Sequence, residues 1–157
     1  MESIQLKNDN LFKIGIKNNE GQDTGEVITI DMEDIELPLK LQECETKIKQ
    51  NEMWLGIQKK QIESRPDKKG KKLLSANQES LIKLLNEFYA RQTKAWEIFL
   101  GDGAISKILC GRKPYYTMFA ELNEQLMPLM PKIKENCKSI QEKIKTKYMK
   151  KETDVME

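Results

Sequence analysis

The chain has no histidine in its 157 residues. That absence removes the commonest general base, the Ser-His and Cys-His nucleophile pairs, and every zinc site that uses an imidazole. Cysteine is scarce as well: Cys44, Cys110 and Cys137 lie far apart and no C-x-x-C pair occurs. An odd number of cysteines without an export signal predicts free thiols in a reducing compartment. Three thiols could hold a metal only with a carboxylate or water as fourth ligand. Cys44 and Cys137 fall instead on apolar helical stripes described below, which reads them as small buried hydrophobes.

Long apolar runs are missing. None approaches the roughly 18 residues that a transmembrane helix needs, and the first ten residues, MESIQLKNDN, contain no apolar core of a secretory signal. The expectation is a cytoplasmic chain with no membrane partner. No G-x-x-x-x-G-K-[ST] loop and no G-x-G-x-x-G follows a strand. The carboxylates Glu33, Asp34 and Glu36 cluster, but acidic residues are favoured at the start of a helix in any case. The sequence therefore predicts no catalytic residue, no metal ligand and no cofactor: a protein that is not an enzyme. A formal net charge of +2 makes no global case for nucleic acid.

What is present is polar and helical. With 38% hydrophobic and 33% charged residues, the chain suits helices that each carry one narrow apolar stripe and wide solvated faces. Its length predicts one domain over 1–157. Phe12, Ile14 and Ile16 alternate with Lys13, Gly15 and Lys17, and Val27 to Ile30 form a second β-rich run. The loop NNEGQDTG between them predicts a β-hairpin over 11–31. An isolated hairpin is marginal in water, so it must pack on something.

Three main helices follow, making the fold mostly α. The first is predicted over 37–64, with Asp31 or Asp34 at its entry and Leu37, Leu41, Cys44, Ile48 and Leu55 on one stripe. RPDKKGKK, residues 65–72, predicts a wet, flexible loop. The second helix is predicted over 75–100, opened by Ser75 or Asn77 and closed by Gly101. The third is predicted over 114–150, with Pro114 in its first turn and a stripe from Phe119 through Ile133, Cys137, Ile140 and Ile144 to Tyr148. Pro128 and Pro131 interrupt it and predict a kink, or two helices meeting end to end. The tail, 153–157, offers almost no apolar surface and is predicted to be disordered.

Two features call for a function. The lysine-rich end of the third helix could face phosphates or an anionic membrane, although it lacks arginine and has one aromatic, Tyr148; a solvated face is the simpler reading. The other is FLGDGAISKILCGRKPYY, Phe99 to Tyr116, which packs three glycines, a cysteine and three aromatics among aliphatic residues. It predicts a rigid corner in which Gly101 or Gly103 takes a positive φ and Ile105, Ile108 and Leu109 form a short turn folded back on Trp96 and Phe99.

An aromatic helix, FYARQTKAWEI, runs into this corner, and a long terminal helix leaves it. The arrangement resembles tail assembly chaperones of phages and phage-like particles of Gram-positive bacteria. Their pattern is phenylalanine, glycine, acidic residue, glycine, then a small residue, a lysine, an aliphatic pair and a second glycine. Ile105, Lys107, Ile108, Leu109 and Gly111 match. Leu100 is inserted after Phe99, and Ala104 stands where threonine is commoner. The acidic entry VITIDMEDIELPLKL is similar too, and the likeness covers roughly residues 28–150.

The resemblance implies a small, non-enzymatic helical protein without cofactor, which coats the helical tape-measure protein before the tail tube polymerises and then leaves. Many relatives have a frameshifted longer form. Such a protein would act in the cytoplasm of the bacterial host and could self-associate. A chaperone for an amphipathic helix needs exposed apolar contacts at spacings of three and four, and methionine-rich surfaces adapt well to such targets. Trp96, Phe99, Ile105, Ile108, Leu109, Met118, Met127 and Met130 are the expected partner-binding residues. A permanent structural component of a phage-like particle, and a nucleic-acid-binding regulator using the lysine-rich helix, are the alternatives.

Overall fold

The computed structural model describes residues 1–149. The protein is mostly α, with an N-terminal antiparallel hairpin followed by helices that make up 60% of the described chain. The elements are β1 (Leu11–Lys17), β2 (Asp23–Asp31), α1 (Leu37–Glu63), α2 (Ala76–Leu100), α3 (Ala104–Leu109), α4 (Met118–Leu126), a 3-10 turn (Met127–Leu129) and α5 (Met130–Tyr148). The disordered tail expected over 153–157, and the last residue of the expected third helix, lie outside the described residues. Where the length suggests one domain, the chain divides into two compact units. One comprises Met1–Leu41 and the chain from Ser106 onward, the other Gln42–Ile105.

In the first unit the alternation of β1 and β2 sets the hairpin register. Phe12 pairs with Ile30 and Ile14 with Ile28, so Ile28, Ile30 and Ile16 share the buried side. Near the loop the register slips, because residues 24–26 bulge opposite Ile16. Gly25 supplies the positive φ of 81° there, and Thr24 Oγ1 donates to the Ile16 carbonyl at 2.8 Å. The Asn18 side chain closes the loop by accepting from the amides of Glu20 and Gln22. α5 is tied to the hairpin: Asn136 Nδ2 donates to the Met32 carbonyl at 2.7 Å, and the Lys132 ammonium lies 5.3 Å from the Phe12 ring centre. Ile133, which has no exposed surface, and the buried Cys137 and Ile140 sit on the inner stripe of α5.

The two prolines are accommodated by a short change of helix type. Pro128 lies in the first turn of the 3-10 segment and Pro131 in the first turn of α5, where an amide N–H is not needed for the ladder. The predicted interruption is thus a single 3-10 turn between α4 and α5. The start of that helical run differs from expectation. It begins at Met118 and not at Pro114. Tyr115 and Thr117 both turn their hydroxyls toward Glu121, and the Arg112 guanidinium stacks 4.1 Å from the Tyr115 ring centre, which holds 112–117 as a non-helical approach.

In the second unit α1 and α2 are joined by a loop and cross-linked by polar groups. Ser75 caps α2 in a complete capping box: its Oγ accepts from the Gln78 amide, and Gln78 Oε1 accepts from the Ser75 amide at 2.9 Å. The 65–72 loop, expected to be flexible, is fastened at this helix start. The Asn77 amide donates to Asp67 at 3.1 Å and the Ala76 amide to the Lys68 carbonyl at 2.9 Å. The Asn77 amide, with the Ser75 hydroxyl and the Lys68 amide, holds the Asp67 carboxyl below its ordinary range. Between the helices, the buried Asn51 donates to the buried Gln92 at 2.8 Å, and Arg91 lies 3.9 Å over the Trp54 ring.

Candidate partner-binding surface

The segment Phe99 to Tyr116 closes α2, carries α3 and leads toward α4. Gly101 and Gly103 both take positive φ, 97° and 78°, so both glycines meet the expectation that one of them would. The Ile105 amide donates to the Glu97 carboxylate at 3.1 Å, fastening the start of α3 to α2 within the second unit. The expected short turn is the six-residue helix α3. Cys110 at φ 50° and Gly111 at φ 83° end it.

The expected partner-binding residues are not one surface. Trp96, Phe99 and Ile105 are 9%, 5% and 2% exposed and belong to the core, as does Met118 at 6%. These four are corrected to packing residues. A helical stripe repeats at three and four whether it faces the protein's own core or a partner, so periodicity alone could not separate the two. Ile108, Leu109 and Met130 are half-buried. Met127, the first residue of the 3-10 turn, is the exposed member of the set.

An apolar cleft lies elsewhere, within the first unit. One wall is a face of α5 on which Asn136, Ile140, Lys143, Ile144, Lys147 and Tyr148 recur at helical spacing. The other is Asn10 with the turn after β2, Met32, Glu33 and Ile35. The bond from Asn136 to the Met32 carbonyl pins the walls together at one end. The open space measures about 310 Å³. Met32 and Ile140 form a buried floor, Ile144 is half-buried above it, and Ile35 and Tyr148 stand exposed at the rim. Lys143 and Lys147 edge the helical side and Glu33 the opposite side, all exposed.

Sequence reasoning placed Ile140, Ile144 and Tyr148 on a stripe but missed this cleft. Ile35 is its clearest signal, an isoleucine between acidic residues in MEDIELP. Its role shows only once the turn after β2 is set beside α5.

Chemically the cleft offers an apolar floor edged by charged side chains. Among the described residues no three His, Cys, Asp or Glu side chains group as metal ligands. Burial pushes the Cys44 thiol up to about 11 and raises that of Cys137, which leaves both as packing atoms at neutral pH. No helix among the described residues is long and apolar enough to cross a membrane. The chain matches no protein-family model, no curated protein and no solved structure, so the functional reading rests on this cleft and on the sequence.

Proposed function

We propose that the protein is a non-enzymatic assembly chaperone of the phage-tail type, which shields an amphipathic helix of a tape-measure protein until the tail tube forms. The observation that carries this reading is the cleft between α5 and the turn after β2. It is open, its floor is apolar, and its α5 wall presents Ile140, Ile144 and Tyr148 at the spacing of a helix-in-groove contact. The resemblance of Phe99 to Gly111 and of the acidic entry to such chaperones supports the partner. On this reading the protein works in the cytoplasm of the bacterial host during particle assembly. It needs no cofactor.

The test is co-expression with the tape-measure protein of the same particle. The wild-type chain should hold it in a soluble complex, and finished particles should contain none of the chain. A stoichiometric amount of the chain in purified particles would make it a permanent component instead. The six lysines of α5, set against two glutamates, favour a second reading as a nucleic-acid-binding regulator. That reading requires a salt-dependent mobility shift with DNA or RNA and no capture of the tape measure.

A further inference from the structure

We infer that the cleft beside α5 selects a partner helix by charge as well as by apolar fit: it takes an amphipathic helix of about three turns whose apolar stripe is flanked, on the α5 side, by acidic residues. The inference rests on the cleft being a helix-binding groove, and it names which helices enter.

Length comes first. From Asn136 to Tyr148 the α5 wall spans twelve residue steps, or about 18 Å at the α-helical rise. A partner helix of that length presents apolar anchors at i, i+3 or i+4, and i+7, enough to cover the row of Ile35, Ile140 and Ile144. Exposure comes next. Ile35 is 72% exposed and Tyr148 74%, so both stand ready for a contact that the described residues do not supply.

Charge decides the rest. Lys143 and Lys147 lie one helical turn apart on the same rim. Among the described residues neither ammonium is paired with a carboxylate; Lys147 rests 5.5 Å from the Tyr148 ring centre instead. Glu33 is the charged residue of the facing rim. An approaching helix therefore meets two cations on one side and one anion on the other. Acidic residues on the α5 side are attracted by both lysines, and the same residues on the far side would oppose Glu33. Lysine in their place would oppose Lys143 and Lys147. A nucleic acid would also be drawn to the lysines, but it makes no use of Ile35 and is repelled at Glu33.

The experiment uses the full chain and two synthetic helical peptides of about 14 residues with the same leucine stripe. One carries glutamates along one flank, the other lysines at the same positions. Binding is read by fluorescence anisotropy at low and high salt. The acidic peptide should bind roughly fivefold more tightly, the combined effect of two exposed ion pairs, and salt should erase the difference. The double variant Lys143→Glu/Lys147→Glu should reverse the preference. Ile35→Asp should weaken both peptides by roughly tenfold with unchanged melting, because it removes an apolar contact from a residue that packs against little in the free protein.

Equal binding of the two peptides, or no reversal in the lysine variant, would overturn the charge selection. So would a short DNA duplex that displaces the acidic peptide while Ile35→Asp has no effect, since that marks a phosphate-binding face. The two proposals fail separately. If the peptides discriminate but the tape-measure protein is not captured, the chaperone reading falls and the cleft's selectivity stands. If the tape measure is captured yet neither peptide binds, the chaperone uses another surface and this inference falls.

Discussion

The buried amide pair Asn51 and Gln92 should behave as a unit whose halves are costly to remove singly and cheap to remove together. Asn51 is 8% exposed and Gln92 2%, and Asn51 Nδ2 donates to Gln92 Oε1 at 2.8 Å. Gln92→Met keeps the length of the side chain but leaves the Asn51 donor buried without its acceptor. That desolvation costs about 1–3 kcal/mol. For a chain of this size it lowers the melting temperature by roughly 3–8 °C. Asn51→Leu strands the Gln92 acceptor and should cost a similar amount. The double variant replaces a satisfied polar pair with an apolar one, and the loss should largely vanish, since removing both partners of such a pair is nearly neutral or stabilising. A denaturant-unfolding double-mutant cycle measures this directly, with a coupling energy close to the sum of the two single losses, about 2–6 kcal/mol. Additive single effects, or singles within about 0.5 kcal/mol of wild type, would refute the reasoning.

The capping box predicts that Ser75→Ala lowers stability by about 1 kcal/mol in thermal unfolding and that Ser75→Thr restores most of it. Gly101→Ala and Gly103→Ala should each cost about 1 kcal/mol or more from backbone strain alone, because an added methyl meets nothing within 4 Å at either site. Gly70→Ala, in the loop, should be near neutral by the same melting assay. The Lys40 ammonium, 2.7 Å from Asp34, holds that carboxyl below its ordinary range. The resulting stability is present above the unfolded carboxyl pKa and disappears as pH falls through the depressed folded value. Asp34→Asn should therefore narrow the gap to wild type in acid unfolding curves, by no more than about 1 kcal/mol at so exposed a pair. Alkylation followed by mass spectrometry should label the exposed Cys110 in the native protein and reach Cys44 and Cys137 only on unfolding.

Local signals in the sequence were read well where one residue type enforces one geometry. Alternating isoleucines gave the hairpin, Ser75 was one of the two residues expected to open α2 and does cap it, and Gly101 ended it. The two prolines marked the 3-10 turn to within a residue or two. Pro114 misled because a proline suits a first turn without requiring one, and the hydroxyls that turn to Glu121 hold the approach open. The cleft was the hardest feature to see. Trp96 and Phe99 are the most conspicuous apolar residues of the chain, and such residues are also the ones a small core consumes first. The cleft depends on Ile35 and Ile144 lying opposite each other across more than a hundred residues. No spacing rule within one segment reports that meeting.

The central claim is that a helix of the tape-measure protein lies in this cleft. Hydrogen exchange on the full chain, with and without the co-expressed tape-measure protein, tests it most directly. The account predicts added protection in α5 from Asn136 to Tyr148 and in the turn from Met32 to Ile35, lost when Ile35 is changed to Asp. Protection confined to other segments, or a complex that Ile35→Asp leaves intact, would contradict it.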